Sequence, residues 1–302
     1  MRNKSLFKAG AFFFFFILWL VPYLFGQENA STDTYLLRYQ FPVGQETRYQ
    51  LDISDWEKIK MGGKVTQRTQ NMMLEFTQRV EGVDENGNGI WHHLYTDASY
   101  QGKKINLAGK EVRVRISPTG DILESEGLQG IIAEFVKVAM KSFSAYIPGL
   151  DRLPLKIDPS KFSSNEFNIL YQSFVPTFPE GPLKTGDTWQ RREGVTELAD
   201  KRAARINYRL EEVKDGLAKI TLVPPDIDSR KEGRKVSAGG EISFDIQKGE
   251  LAELETVLEL ENFDVKGSLP SELIDTKGQP APTYSLNIVG KKTTFYLHRL
   301  TN

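Results

Sequence analysis

Apolar and polar positions alternate with a period of two along most of the chain. Met72, Leu74, Phe76 and Val80 fall on one side of an extended segment. Val112, Val114 and Ile116 do the same, with Arg113 and Arg115 on the other side. Ile206, Tyr208 and Leu210, then Ile242, Phe244 and Ile246, repeat the pattern. Such alternation predicts half-buried antiparallel strands. The runs Val65 to Val80 and Leu251 to Val265 are long for a small sandwich and predict broad, curved sheets with one wet face. "TYSLNIVGKKTTFYLHRL" reads as a further hairpin turning at Gly290 to Lys292. One segment departs from this period. Leu128, Ile132, Phe135, Ala139, Phe143 and Tyr146 recur at helical spacing, opposite a stripe of Gly130, Glu134, Lys137, Lys141 and Ser144. Pro148 and Gly149 end this predicted helix. A Pro-rich connector follows, and a second, shorter helix is expected from the Ser163-Ser164-Asn165 cap to about Phe174, before Pro176.

Three segments of the first half recur, in order, in the second. "FPVGQETRYQ" (Phe41 to Gln50) is echoed by "PLKTGDTWQRR" (Pro182 to Arg192), each with a glycine, Gly44 or Gly186, and an aromatic, Tyr49 or Trp189, shortly after. "FTQRVEGVDENGNGIW" (Phe76 to Trp91) is echoed by "NYRLEEVKDGLAKI" (Asn207 to Ile220). "GKEVRVRISPTGDILES" (Gly109 to Ser125) is echoed by "GGEISFDIQKGELAELE" (Gly239 to Glu255), with turn glycines Gly120 and Gly249. The expected organisation is a leader over residues 1–26, an N-terminal β lobe over 27–126, the amphipathic helix and connector over 127–165, and a C-terminal β lobe over 166–302. The fold class is mainly β: antiparallel curved sheets in two related lobes, half-barrel or barrel-like, with one amphipathic helix between them.

The first 26 residues combine a basic start (Arg2, Lys4, Lys8), an apolar run from Ala9 to Phe25 and a small residue, Gly26, before polar "QENAST". This is the pattern of a secretory signal. Cleavage is expected after Gly26, with Ala30 the second choice. An uncleaved membrane anchor is the rival reading, since the apolar run nearly spans a bilayer core. The chain has no cysteine, which excludes disulfides and lipid attachment through a cysteine. An exported chain without disulfides relies on its own core, and about 276 residues suffice to bury one. Of 39 Lys+Arg and 40 Asp+Glu, three cations lie in the leader, so the mature excess is about four acids. That mixed balance carries no footprint for nucleic acid or for an anionic membrane surface. Membrane contact is expected only through an uncleaved N-terminal segment, and the location is periplasmic or secreted.

"DENGNG" (Asp84 to Gly89) resembles the opening of a calcium loop, with Asp84, Asn86 and Asn88 at alternate positions and Gly89 sixth. Such a loop needs a bidentate carboxylate at its twelfth position. Tyr95 stands there, and Asp97 comes two places too late. The matching turn of the second half keeps only Asp215-Gly216. Asn or Asp followed by Gly is what tight hairpins use, so a turn is expected and no metal. His92 and His93 are neighbours on a strand and point to opposite faces, so they cannot chelate together. With His298 they are expected to be half-exposed strand residues. There is no G-x-S-x-G elbow, no thiol nucleophile and no phosphate-cradling loop. "MGGK" (Met61 to Lys64) and "AGGE" (Ala238 to Glu241) read as turns between strands. Asp226 and Asp228, in "PPDIDSRKEG", are the pair best placed to hold a cation, but solvated loop acids facing Arg230 and Lys231 are the simpler reading. Asp245 is expected on an outer face beside a turn. Trp56, Trp91 and Trp189 are read as core and not as a sugar-stacking surface.

The patterns "GDTW" (Gly186 to Trp189), "GGEISFDIQKGEL" (Gly239 to Leu251) and "RYQFPVGQETRY" (Arg38 to Tyr49), behind a signal peptide, resemble a family of uncharacterised secreted bacterial domain proteins. The resemblance implies a β-rich envelope protein and carries no catalytic residue. A curved sheet with a helix on one face is also similar, in architecture alone, to the half-barrels of periplasmic lipoprotein carriers and envelope-stress sensors. The first functional expectation is a non-enzymatic binding or scaffold module of the cell envelope, using no cofactor, with an envelope protein as partner. The second is a carrier or sensor of a lipophilic ligand, with Phe135, Val138 and Phe143 lining an apolar cavity. The third is a metal-assisted hydrolase using loop carboxylates.

Overall fold

A computed structural model describes residues 33–61, 63–143, 175–192, 205–223, 235–268 and 283–301. The leader, the connector, the expected second helix and the Asp226–Asp228 loop lie outside the described residues. The strands are β1 (Glu46–Met61), β2 (Lys64–Val83), β3 (Gly89–Tyr100), β4 (Lys103–Lys104), β5 (Glu111–Ile116), β6 (Ile122–Glu126), β7 (Thr188–Arg192), β8 (Arg205–Lys214), β9 (Leu217–Val223), β10 (Lys235–Asp245), β11 (Glu250–Ser268) and β12 (Thr283–Arg299). Helix α1 (Leu128–Phe143) follows β6. All twelve strands form one antiparallel sheet in the order β6-β5-β3-β2-β1-β12-β11-β10-β9-β8-β7, with β4 beside β3. The fold is mainly β, and the sheet is not closed into a barrel. Both halves of the chain lie in this sheet, joined where β1 pairs with β12 from Tyr49↔Arg299 to Lys60↔Asn287.

The strand order reads β6-β5-β3-β2-β1, then β12, then β11-β10-β9-β8-β7, so five strands recur in the same sequence on either side of β12. Register repeats as well. Val80 faces Trp91 beside a bulge, and Leu210 faces Ile220 beside a bulge. Ile116 faces Ile122 after a shift, and Phe244 faces Leu251 after a shift. Gly44 donates to Val80 O at 2.8 Å, and Gly186 donates to Leu210 O at 2.7 Å. Both glycines have φ near +90°, which suits a residue without a side chain. The aromatics do not coincide: Thr47, not Tyr49, takes the place of Trp189, since Thr47 pairs with Gln78 and Trp189 with Tyr208.

The expected alternation is present. Val112, Val114, Ile116, Leu210, Ile220 and Phe244 are fully buried, and Tyr208 and Ile242 nearly so. Three local expectations are corrected. Gly290 is no hairpin turn: β12 runs through it unbroken, and the register shifts there against β1. The glycine leaves room for the Trp56 ring, which would lie 3.0 Å from an added Cβ. "AGGE" lies inside β10, paired with β11 along its whole length and with β9 at Gly240 and Glu241. At Gly240, φ is +152° and a Cβ would come within 2.0 Å of Glu255 O, so close strand approach requires the glycine. On α1 the buried positions include Leu128 and Ile131, the latter absent from the expected stripe. Gly127 lies against the Glu111 backbone at the start of the helix. Among the described residues no helix is long and apolar enough to cross a membrane.

One end of the sheet is closed by short turns and two arms. The arm before β1 donates from Tyr39 N to Pro118 O at 2.9 Å and from Gln40 N to Gly249 O at 3.0 Å, and the arm before β7 donates from Phe178 N to Thr119 O at 2.8 Å. The arms meet at a Tyr35↔Leu183 bridge. Tyr39 joins the halves: its ring packs edge-on against Trp91 at 5.5 Å and Phe244 at 5.3 Å, and lies 5.5 Å from Phe178. Side chains of this size contribute about 1.5–3 kcal/mol each on burial, so this aromatic cluster fastens the two halves at the capped end.

Candidate functional site

At the same end, the seam between the halves opens into a cleft of about 450 Å³ lined by residues that include Gln45, Thr47, Arg48, Lys248, Glu250 and Arg299. β1 and β12 bring Thr47 and Arg299 to the core-facing side, and Glu250 begins β11. Glu250 is buried. One of its oxygens accepts from Gln45 Nε2 at 3.1 Å and from Thr47 Oγ1 at 3.0 Å, and the other meets the Arg299 guanidinium. The Tyr49 hydroxyl donates to Leu251 O at 3.0 Å. Burial, with the Glu250 charge nearby, raises its pKa far above the usual phenol range, so it remains a donor. Lys248 Nζ lies 3.7 Å from Asp245 Oδ2 and 4.0 Å from Glu250 Oε1, beyond hydrogen-bond reach of both. Arg48 is already paired with Glu75, and Glu46 also lines the cleft. With Glu250 balanced by its donors, the cleft presents Lys248 and the outer Arg299 nitrogens to hydrogen-bond acceptors and carboxylates.

The residues singled out in the sequence are mostly committed elsewhere. Asp84 Oδ1 accepts from the backbone of Asn86 and Asn88, both at 2.9 Å, and Oδ2 accepts from Asn88 Nδ2 at 2.9 Å. These bonds, the Asn88 amide first, hold its carboxyl below the usual range. The loop is therefore a hairpin turn fastened by its own aspartate. Among the described residues no group of three or more His, Cys, Asp or Glu could hold a metal ion. His92 and His93 do point to opposite faces. His93 is not half-exposed: it is fully buried between Phe76 and Trp91, with Nε2 3.0 Å from Gln78 Oε1. Burial, assisted by the nearby His92, pushes its pKa down to about 3, so the ring is neutral. His92 lies 3.3 Å from Glu111, and His298 stacks beside Tyr296 with ring centroids 5.0 Å apart. Asp245 fastens the β10–β11 turn by accepting from Lys248 N at 3.0 Å. Trp91 and Trp189 join the core, while Trp56 lies over Gly290. Val138 packs against the core. Phe135 and Phe143 lie on α1, and their side chains fall outside the described residues. Sequence reading missed the cleft because its parts are scattered from Gln45 to Thr301; the only local signal is an acid, Glu250, at the mouth of an apolar strand.

A family model described as a family of unknown function, DUF6263, matches residues 96–248, half of the chain. The chain belongs to DUF6263. The DUF6263 match runs from β3 through β10 and ends at Lys248, on the edge of the cleft. No curated protein matches the chain. Among solved structures, one of lipovitellin, described by its lipid–protein interactions, aligns with 87% of this chain at 11% identity and a TM-score of 0.43. The chain spans only 26% of that protein. DynF, from the dynemicin biosynthesis pathway of Micromonospora chersina, aligns over 88% of this chain and 85% of its own at 8% identity and a TM-score of 0.16. At these scores neither likeness establishes a shared fold.

Proposed function

We propose that this DUF6263 protein is a non-enzymatic binding or scaffold module exported to the cell envelope, and that it engages its partner through the seam cleft. The observation that supports the reading most is the cleft itself, which sits where the two halves of the sheet meet and offers cationic donors around an acid already satisfied. The groups best suited to acid–base work support it further. His93 is buried and neutral, and Asp84 and Asp245 are spent on turns. The leader, basic and then apolar, supports export. A partner with clustered carboxylates fits the donors.

Titration of the folded protein with tetra-glutamate, followed by amide chemical shifts, tests the site. Shifts confined to the ends of β1, β11 and β12, abolished by Lys248→Glu, are expected. Absence of saturable shifts there, or turnover of p-nitrophenyl esters or phosphates that Lys248→Glu removes, overturns the reading. N-terminal sequencing of protein recovered from the envelope fraction tests export, with Gln27 or Ser31 as the expected first residue.

A further inference from the structure

A second polar feature lies on the core-facing side of the sheet, farther along the strands from the capped end. Successive rows across β2, β1, β12 and β11 change character there. Leu74, Leu51, Leu297 and Leu254 form a fully apolar row. Next come Met72, Ile53, Phe295 and Thr256. Then come Gln70, Asp55, Thr293 and Leu258, and then Arg68, Glu57, Lys291 and Leu260. Alternation places all of these on one face. Rows lie about 7 Å apart. The last two rows form one network. Lys291 Nζ lies 2.8 Å from Asp55 Oδ2 and 3.9 Å from Glu57 Oε2, Thr293 Oγ1 donates to Asp55 Oδ1 at 2.6 Å, Gln70 Nε2 donates to Glu57 Oε1 at 2.9 Å, and Arg68 also meets Glu57. Four charges on the face that elsewhere forms the core are costly to desolvate, and packed apolar residues would serve stability as well.

The adjoining row supplies an independent sign of a ligand. Thr256 is 4% exposed, and its hydroxyl has no hydrogen-bond partner among the described residues. A buried hydroxyl left unsatisfied costs free energy unless something absent from the protein accepts its proton. It stands between the apolar rows and the ionic ones. Its row runs from Thr256 through Phe295 to the half-buried Ile53, Met72 and Tyr100, and Leu258 follows it on β11. Along the strands the face is apolar towards the capped end and ionic over two rows, with an unpartnered donor at that boundary; past the ionic rows it turns apolar again at Ile59 and Ile288.

We propose that this face binds a single-chain amphiphile with a zwitterionic head, the head exchanging into the Asp55–Glu57–Arg68–Lys291 network, the Thr256 hydroxyl donating to its linkage, and the chain lying along Ile53 and Met72. Two acids and two cations match a head bearing both signs. A head of one sign would leave two like charges facing it. The inference deepens the binding-module reading by giving it a second ligand class at a site separate from the seam cleft.

The test is saturable binding of fluorescent lysophosphatidylcholine, below its micellar concentration, to the full mature chain. Thr256→Val is expected to weaken binding at least fivefold while leaving the denaturant midpoint unchanged or higher, because the free protein loses an unsatisfied group. The double variant Asp55→Asn with Lys291→Met removes one ion pair at constant net charge and is expected to weaken binding at least tenfold. Lysophosphatidylglycerol and dodecyl maltoside are expected to bind at least fivefold more weakly than the zwitterion. Equal binding by Thr256→Val, or by either comparison amphiphile, overturns the proposal. Lys248→Glu separates the two sites. Its amphiphile binding is expected to equal wild type. A wild type that binds tetra-glutamate but no amphiphile sinks this proposal alone, whereas one that binds neither sinks the module reading as well.

Discussion

On either side of β12 five strands follow one another in the same order, with bulges beside Val80 and Leu210, yet one row differs in kind. Across β7, β8 and β9 the paired residues are Trp189, Tyr208 and Leu222, with Trp189 stacked on Tyr208 at 5.4 Å. The corresponding row across β1, β2 and β3 is Thr47, Gln78 and His93. Both rows belong to buried faces, so the fold tolerates an apolar filling at this level. The first half instead holds a neutral imidazole bonded to an amide, and a threonine bonded to Glu250. The difference teaches that the fold does not require polarity at this level: the polar row reaches the cleft only at Thr47, through its bond to Glu250, and is otherwise buried with His93 against Phe76 and Trp91.

The strongest way to break the comparison is through the glycines that make the halves alike. Gly120 and Gly249 occupy matching turns at φ of +94° and +60°. Each is pressed by an arm: a Cβ on Gly120 would lie 2.4 Å from Pro176 O, and one on Gly249 would lie 2.4 Å from Gln40 N. Gly120→Ala and Gly249→Ala are each expected to cost about 3–5 kcal/mol, since positive φ and a backbone clash add. Urea unfolding measures both. Equal losses mean that the two arms clamp equivalently; a loss at only one would show that the arms are unequal.

The polar row is sharpened by His93. Its pKa is about 3 in the folded protein against an ordinary value of about 6.5. The unfolded chain therefore binds an extra proton between those values. Stability is whole above pH ~6.5 and falls as pH drops towards 3, by up to about 1.4 kcal/mol per unit. His93→Leu, which installs the residue type found at Leu222, removes that acid limb. At pH 7 it is expected to cost about 1–3 kcal/mol by stranding the Gln78 amide, and adding Gln78→Leu should recover most of the loss. Urea titrations at pH 4, 5.5 and 7 read both effects. A variant that keeps the wild-type slope between pH 4 and 6.5 would assign the limb to another group.

Strand faces were legible because burial imposes a period of two, and Val112, Val114 and Ile116 show it without exception. Repeated turns were legible through Gly44 and Gly186, whose positive φ leaves glycine as the ready choice. Gly240 and Gly290 were misread because glycine marks close approach as well as turning, and only the neighbouring strand tells which. Pairing partners decide that, and they come from 15 residues away in one case and more than 230 in the other. The burial of His93 was illegible for the same reason: an alternating strand predicts which face a side chain takes, not how completely distant segments cover it. The cleft and the ionic rows depend on the β1–β12 pairing, which no local pattern encodes.

The smallest expected effect separates the two hairpins that correspond between the halves. The β8–β9 turn uses only Asp215 and Gly216, at φ of +52° and +80°, a two-residue connection whose backbone twist matches its strands. The β2–β3 turn is longer, and its aspartate accepts two backbone amides and one side chain. Asp84→Ala should therefore lower the melting temperature slightly, less than either change above, while Asp215→Asn should leave it unchanged because asparagine tolerates the same backbone. The Asp84 carboxyl has a depressed pKa when folded, so its contribution is complete above the ordinary carboxyl range and is lost as pH falls through the folded value. Calcium at millimolar concentration should change neither melting temperature nor the Asp84 variant's deficit, since the oxygens that would coordinate it already hold the turn. A calcium-dependent rise in wild type that Asp84→Ala abolishes would make the longer loop an ion site, and the two hairpins would then differ in function as well as length.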